Sequence, residues 1–146
     1  MNISIRRVTD ADKAEWFRMR KGIWPEVPDH YMSFDMDDLL ADDDYLILFA
    51  CDGEKNIGLT EARLRDHAEG CSSSPVGYIE GWYVQDDYRG RGVVGTLNQA
   101  AEDWARAKGC TEMASDTWLD NEASIRAHQK LGYFEVERLI HYVKRL

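Results

Sequence analysis

Hydrophobic and polar residues alternate through Ile3–Val8, the period-two pattern of a half-buried strand. Thr9 and Asp12 have the spacing of a capping arrangement and open a helix running to about Gly22. Trp24 to Tyr31 carries Trp24-Pro25 and Val27-Pro28 and reads as a loop. Ser33 is placed to cap a short second helix with Phe34, Leu39 and Leu40 on its apolar side. Strand-like runs follow at Tyr45–Cys51, Ile57–Arg65 and Val76–Val84, joined by an Asp52-Gly53 turn and a longer Gly- and Ser-bearing connection from Asp66 to Pro75. They make an antiparallel meander.

Val93, Val94, Leu97, Ala100, Ala101, Trp104 and Ala105 then form a helical stripe that Gly109 ends. Thr111–Asp116 reads as a strand, Asn121–Leu131 as a helix stopped by Gly132, and Tyr133–Glu137 and Leu139–Lys144 as two closing strands. The sum is an α/β (α+β) fold. It has a mixed, mostly antiparallel central sheet of about seven strands, flanked by about four helices, with one β-loop-α-β crossover. No linker or repeat divides the chain, so residues 1–146 read as a single domain.

The segment from Val84 to Gly95 adds chemistry to this outline. Strand, Arg/Gly loop (Arg89-Gly90-Arg91-Gly92) and helix start follow one another there. Glycines let backbone approach a ligand, and the first helical N–H groups lack internal partners. The helix dipole adds partial positive charge, so a pyrophosphate fits. No Gly-x-x-x-x-Gly-Lys-Ser/Thr occurs, which leaves a nucleoside-triphosphate loop unsupported. Gly90, Gly92 and Gly95 match the dinucleotide spacing, but they follow hairpins rather than an early βαβ unit.

Composition narrows the class further. No apolar run approaches the roughly 18 residues of a membrane span, and the N-terminus lacks a signal-peptide core. Cys51, Cys71 and Cys110 are odd in number and widely spaced, which fits free thiols in a reducing compartment. The expectation is a soluble, cytoplasmic protein. The four histidines show no metal-ligand spacing, so no metal is expected. A net charge of −9, with acidic clusters at Asp35–Asp38 and Asp42–Asp44, repels nucleic acid and anionic membranes and attracts polycations.

With these residues in place, the chain resembles the GCN5-related N-acetyltransferase superfamily over nearly its whole length. Arg89-Gly90-Arg91-Gly92-Val93-Val94 matches that family's Arg/Gln-x-x-Gly-x-Gly/Ala loop, with Val94 in place of the last small residue and Gly95 one position late. The resemblance implies acetyl-CoA as cosubstrate. It would be held by Trp82, Tyr83, Val84, Arg89, Gly90, Arg91, Gly92, Val93, Val94, Gly95 and Asn121. His128 falls where the family usually has a Tyr proposed to protonate the CoA thiolate, which makes it a candidate proton donor. Ser74–Gly81, Ala114-Ser115-Asp116 and Leu119-Asp120-Asn121 look like the aminoglycoside 6′-N-acetyltransferases, most of all the chromosomal enzymes of Acinetobacter-like type. By that likeness Trp24, His67, Glu80, Asp116 and Glu137 line the drug site, and relatives of this kind imply a homodimer.

Carboxylates suit such a substrate because they bind its ammonium groups with charge-assisted hydrogen bonds. They also favour the unreactive ammonium form, so a proton must leave before attack. Asp116, then Glu80, are the candidate bases, and crowding of carboxylates would raise one of them. Backbone N–H groups near Trp82–Val84 would meet the oxyanion. No Ser/His/Asp or Cys/His arrangement calls for an acyl-enzyme, so direct acetyl transfer is expected. Two other readings stay open. One is acetylation of a polyamine or a protein N-terminus, and the other is a non-catalytic acyl-CoA sensor.

Overall fold

The structure, a computed structural model, describes residues Met1–Leu146. Five strands form one sheet in sequence order: β1 (Ile3–Arg7), β2 (Tyr45–Asp52), β3 (Lys55–Arg65), β4 (Val76–Val84) and β5 (Met113–Ser115). The first four are antiparallel, and β5 joins β4 in parallel through the crossover helix α4 (Val93–Ala107). The remaining helices are α1 (Lys13–Ile23), α2 (Asp29–Ser33), α3 (Met36–Ala41) and α5 (Glu122–Lys130).

The meander reads as near-continuous apolar sequence because both of its faces are covered. Leu46, Leu48 and Ala50 of β2 pack with Val93, Leu97 and Ala101 of α4, while Ile47, Phe49 and Cys51 face Trp16 and Met19 of α1 and Leu39 of α3. Helix α1 is tied to the sheet by one buried charge cluster. Arg20 donates to Glu61 (Nε to Oε2, 2.6 Å), to Asp35 and to the Met32 carbonyl, and the Trp16 indole N–H donates to the same Glu61. Burial alone would depress the Arg20 guanidinium, but Glu61 and Asp35 more than offset it and leave the proton held more tightly than usual.

The structure corrects the expected elements in three places. There are five strands rather than seven, because 133–137 and 139–144 pair with nothing; no backbone–backbone hydrogen bond involves a residue beyond Tyr133. Alternation specifies a face to be covered, but not the partner that covers it. The expected helix capped by Ser33 is two short helices broken at Phe34–Asp35, with Ser33 ending α2 and Phe34 turned out to solvent (72 % exposed). Five α-helices therefore stand where about four were expected. Asp12 does accept from the Thr9 backbone N–H at 2.8 Å, but the turn it closes is 3-10 and α1 proper starts at Lys13.

Candidate active site

β4 and β5 stay paired only from Gly77–Met113 to Ile79–Ser115. The next residue on each strand is a carboxylate, Glu80 and Asp116. Beyond them the strands part, leaving one edge of Glu80–Val84 without a strand partner. Glu80 also sits at a bulge, since Glu61 lies opposite Gly81 and Ala62 opposite Ile79. An extra residue on one strand re-aims a side chain, so the strict alternation of Tyr78, Glu80 and Trp82 along β4 breaks at Glu80. The parted strands open a cleft of about 1200 Å³ that reaches from Trp24, Glu80 and Asp116 to Gly90 and Gly92.

One end of the cleft suits an anion. Gly90 and Gly92 take positive φ (+73° and +82°), and a Cβ at either would meet nothing within 4 Å. The left-handed turn at Gly92 delivers the chain into α4, whose start has no side-chain cap. Its first N–H groups therefore point free into the cleft mouth with the dipole behind them. Arg89 braces the turn by donating to the Val84 carbonyl at 3.1 Å and pairing with Asp86 at 3.1 Å. These residues fit a pyrophosphate-bearing cosubstrate.

The other end carries the carboxylates, and neither is left bare. Glu80 accepts from Arg65 (Nη2 to Oε1, 2.9 Å), and Asp116 accepts from the Tyr78 phenol. Burial and that bond to Asp116 push the Tyr78 phenol well above its ordinary range, so it stays a donor. The expected crowding of like charges is replaced by separate partners. Trp24 closes the same end: a Cβ on Gly81 would lie 3.0 Å from its ring, so glycine is what lets the indole pack against β4.

His128 of α5 lies between the two ends. Its ring stacks on Trp82 (centroids 4.5 Å apart) and meets Tyr133 edge-on. Nδ1 lies 2.7 Å from the Ser124 carbonyl and Nε2 lies 2.8 Å from the Ser115 hydroxyl. Burial lowers the proton affinity of the imidazole, with the Ser124 carbonyl and Asp116 opposing. A carbonyl only accepts, so the neutral ring carries its proton on Nδ1 and presents a lone pair to Ser115.

The model of the acetyltransferase (GNAT) family matches residues 12–133. The chain belongs to this family. It is 40 % identical over 142 residues to the aminoglycoside N(6′)-acetyltransferase type 1 of Stenotrophomonas maltophilia, covering 95 % of this chain and 91 % of that one. It is 39 % identical to the enzyme of the same name from Salmonella enteritidis, covering 98 % and 99 %. Among solved structures it superposes on AAC(6′)-Iy bound to the bisubstrate analogue CoA-S-monomethyl-acetylneamine, with TM-score 0.92, 37 % identity and all of both chains covered. The AAC(6′)-IG structure from Acinetobacter haemolyticus gives TM-score 0.90 at 35 % identity, covering 100 % and 99 %.

In this GNAT acetyltransferase most of the residues singled out from the sequence line one cleft. Trp24, Glu80, Trp82, Tyr83, Val84, Arg89, Gly90, Gly92, Val93, Val94, Gly95, Asp116, Asn121 and His128 all do. Asn121 has a local task as well, accepting from the Ser124 N–H at 3.1 Å to cap α5. Three residues are not brought to the cleft. His67 lies exposed past the end of β3, Glu137 lies exposed on the unpaired tail, and Arg91 lies exposed with its guanidinium over the Tyr88 ring. Sequence reasoning missed Arg65, Tyr78 and Ser115 as partners of the named groups. Tyr78 lies opposite Ala114 and Ile79 opposite Ser115, so only the pairing of β4 with β5 could reveal that Tyr78 reaches Asp116.

Proposed function

We propose that this acetyltransferase moves the acetyl group of acetyl-CoA directly onto an aminoglycoside 6′-amine. The observation that carries the reading is the placement of Glu80 and Asp116 where β4 and β5 part, facing an uncapped, glycine-bounded helix start across one cleft. The relatives named for this reaction span nearly the whole chain at 39–40 % identity. The activity those relatives are named for supports the substrate class.

In this reading Glu80 and Asp116 bind acceptor ammonium groups, with Trp24 as a wall of the pocket. Asp116, or Glu80 second, takes the proton that must leave the reacting nitrogen, directly or through water. The amine then attacks the thioester carbonyl; the C–N bond forms, the C–S bond breaks and CoA leaves as its thiol. Free N–H groups along Trp82–Val84 support the oxyanion. The proton removed from the amine returns to the thiolate sulfur, with His128, once it has taken that proton up as imidazolium, as its donor. His67 and Glu137 keep a role in substrate binding only if the chain outside the sheet closes over the site.

Residues 1–146 act as a single domain in a reducing, cytoplasmic setting, which suits three free cysteines and an acetyl-CoA supply. No helix is long and apolar enough to cross a membrane. A homodimer is supported by the tail. Phe134, Val136, Leu139, Ile140, Tyr142 and Val143 are all more than half exposed, an apolar surface a second copy of the chain would cover.

The test is CoA thiol release with kanamycin, spermidine or a peptide with a free N-terminus as acceptor. Turnover of kanamycin well above the others supports the reading. Turnover of spermidine or peptide alone moves the chain to another acceptor class, and tight acetyl-CoA binding without turnover leaves an acyl-CoA sensor.

A further inference from the structure

Arg65 stands at the end of β3 with its guanidinium carbon 3.5 Å from the centre of the Tyr78 ring and its Nη2 on Glu80. Tyr78 in turn donates to Asp116. One cation therefore holds Glu80 while stacking on the phenol that holds Asp116. The pair is only partly shielded, with side chains 31 % (Arg65) and 26 % (Glu80) exposed. Its hydrogen bonding is incomplete, because Arg65 Nε is buried without a partner. An unpartnered buried donor weakens the hold of the guanidinium on this position.

We propose that Arg65 is a resident counter-ion that occupies Glu80 in the empty site and is displaced by a second ammonium of a polycationic acceptor. The inference rests on the reading of this end of the cleft as the acceptor-amine site. An acceptor with one ammonium is served by Asp116 and leaves the Arg65–Glu80 pair intact. One with several must break that pair to reach Glu80, so Arg65 sets the affinity for polycations below what two free carboxylates would give. It also keeps Glu80 from standing uncompensated beside Asp116 when no acceptor is bound. Burial opposes the charge on Arg65, but its bond to Glu80 outweighs this and holds the guanidinium protonated, so displacement and not deprotonation frees the carboxylate.

The experiment measures calorimetric Kd values of neamine and of the monoamine glucosamine for the protein–CoA complex, with wild type, Arg65→Gln and Arg65→Lys. The expected result is that Arg65→Gln tightens neamine about three- to fivefold, the equilibrium worth of one partly exposed ion pair. Glucosamine should move less than about twofold. Arg65→Lys keeps the cation and should bind neamine as the wild type does. A side chain that merely packs against Tyr78 would instead make Lys and Gln behave alike. Unchanged or weaker neamine binding by Arg65→Gln overturns the proposal. Thiol release with neamine, run on the wild type, tests the acceptor-site reading separately. If neamine binds but is not acetylated, that reading fails while the Kd comparison still decides the role of Arg65.

Discussion

Two arginine–glutamate pairs lie on the same sheet, and they differ in what surrounds them. Arg20–Glu61 is almost fully enclosed, with side chains 7 % and 4 % exposed, and Asp35, Trp16 and the Met32 carbonyl complete its hydrogen bonds. Arg65–Glu80 is more open, with side chains 31 % and 26 % exposed, and leaves one donor unmet. The chemistry of the two pairs is the same. Enclosure and complete bonding make the first a tie between α1 and the sheet, while access and an unmet donor make the second exchangeable. Only the second stands beside the cleft.

Removing one partner of each pair should separate them most strongly. Glu61→Ala leaves the buried Arg20 with Asp35 as its one remaining counter-ion and the Trp16 N–H unpaired, and a loss of about 3 kcal/mol in urea unfolding is expected. Glu80→Ala should lose no more than about 1 kcal/mol, because water reaches its partner. Equal losses would erase the distinction.

Activity should show the reverse order. Asp116→Asn keeps the Tyr78 contact in shape but removes the candidate base. Its kcat/KM for the acceptor amine should fall about 10²- to 10⁴-fold with little change in the unfolding midpoint. A Gly92→Ala chain should lose less, about 1–2 kcal/mol of stability, since a side chain at φ +82° is strained. Its KM for acetyl-CoA should rise more than its KM for the acceptor, because the strain sits at the α4 start.

The smallest effect concerns pH. Burial lowers the proton affinity of His128 below its ordinary value of 6.5, so the unfolded chain binds more protons in the window just under that value. Stability therefore rises with pH through this window and falls on acidification. His128→Gln should flatten that slope in thermal melts at pH 5 to 7, and an unchanged slope would mean that the ring is not buried neutral.

Much of this was legible in the sequence where pattern and packing agree. The meander, the α4 stripe and the Arg89–Gly92 turn each carry a local signal, and each lies where it was expected. Asp116 was legible as a carboxylate ending a strand, and Glu80 as one within the Val76–Val84 strand. Their partners were not, because Arg65 and Tyr78 reach them only through the register of β3, β4 and β5, and the bulge at Glu80 leaves no mark in the alternation. The closing strands failed for a related reason. Residues 133–144 have the right period, but β5, their nearest sheet edge in sequence, is three residues long and offers little to pair with.

The most direct test is a crystal structure of the ternary complex with CoA and neamine. The account predicts the pyrophosphate at the Gly90–Gly95 turn, ammonium groups on Glu80 and Asp116, Arg65 withdrawn from Glu80, and Arg20–Glu61 unmoved. Neamine bound away from both carboxylates, with Arg65 still on Glu80, would contradict it.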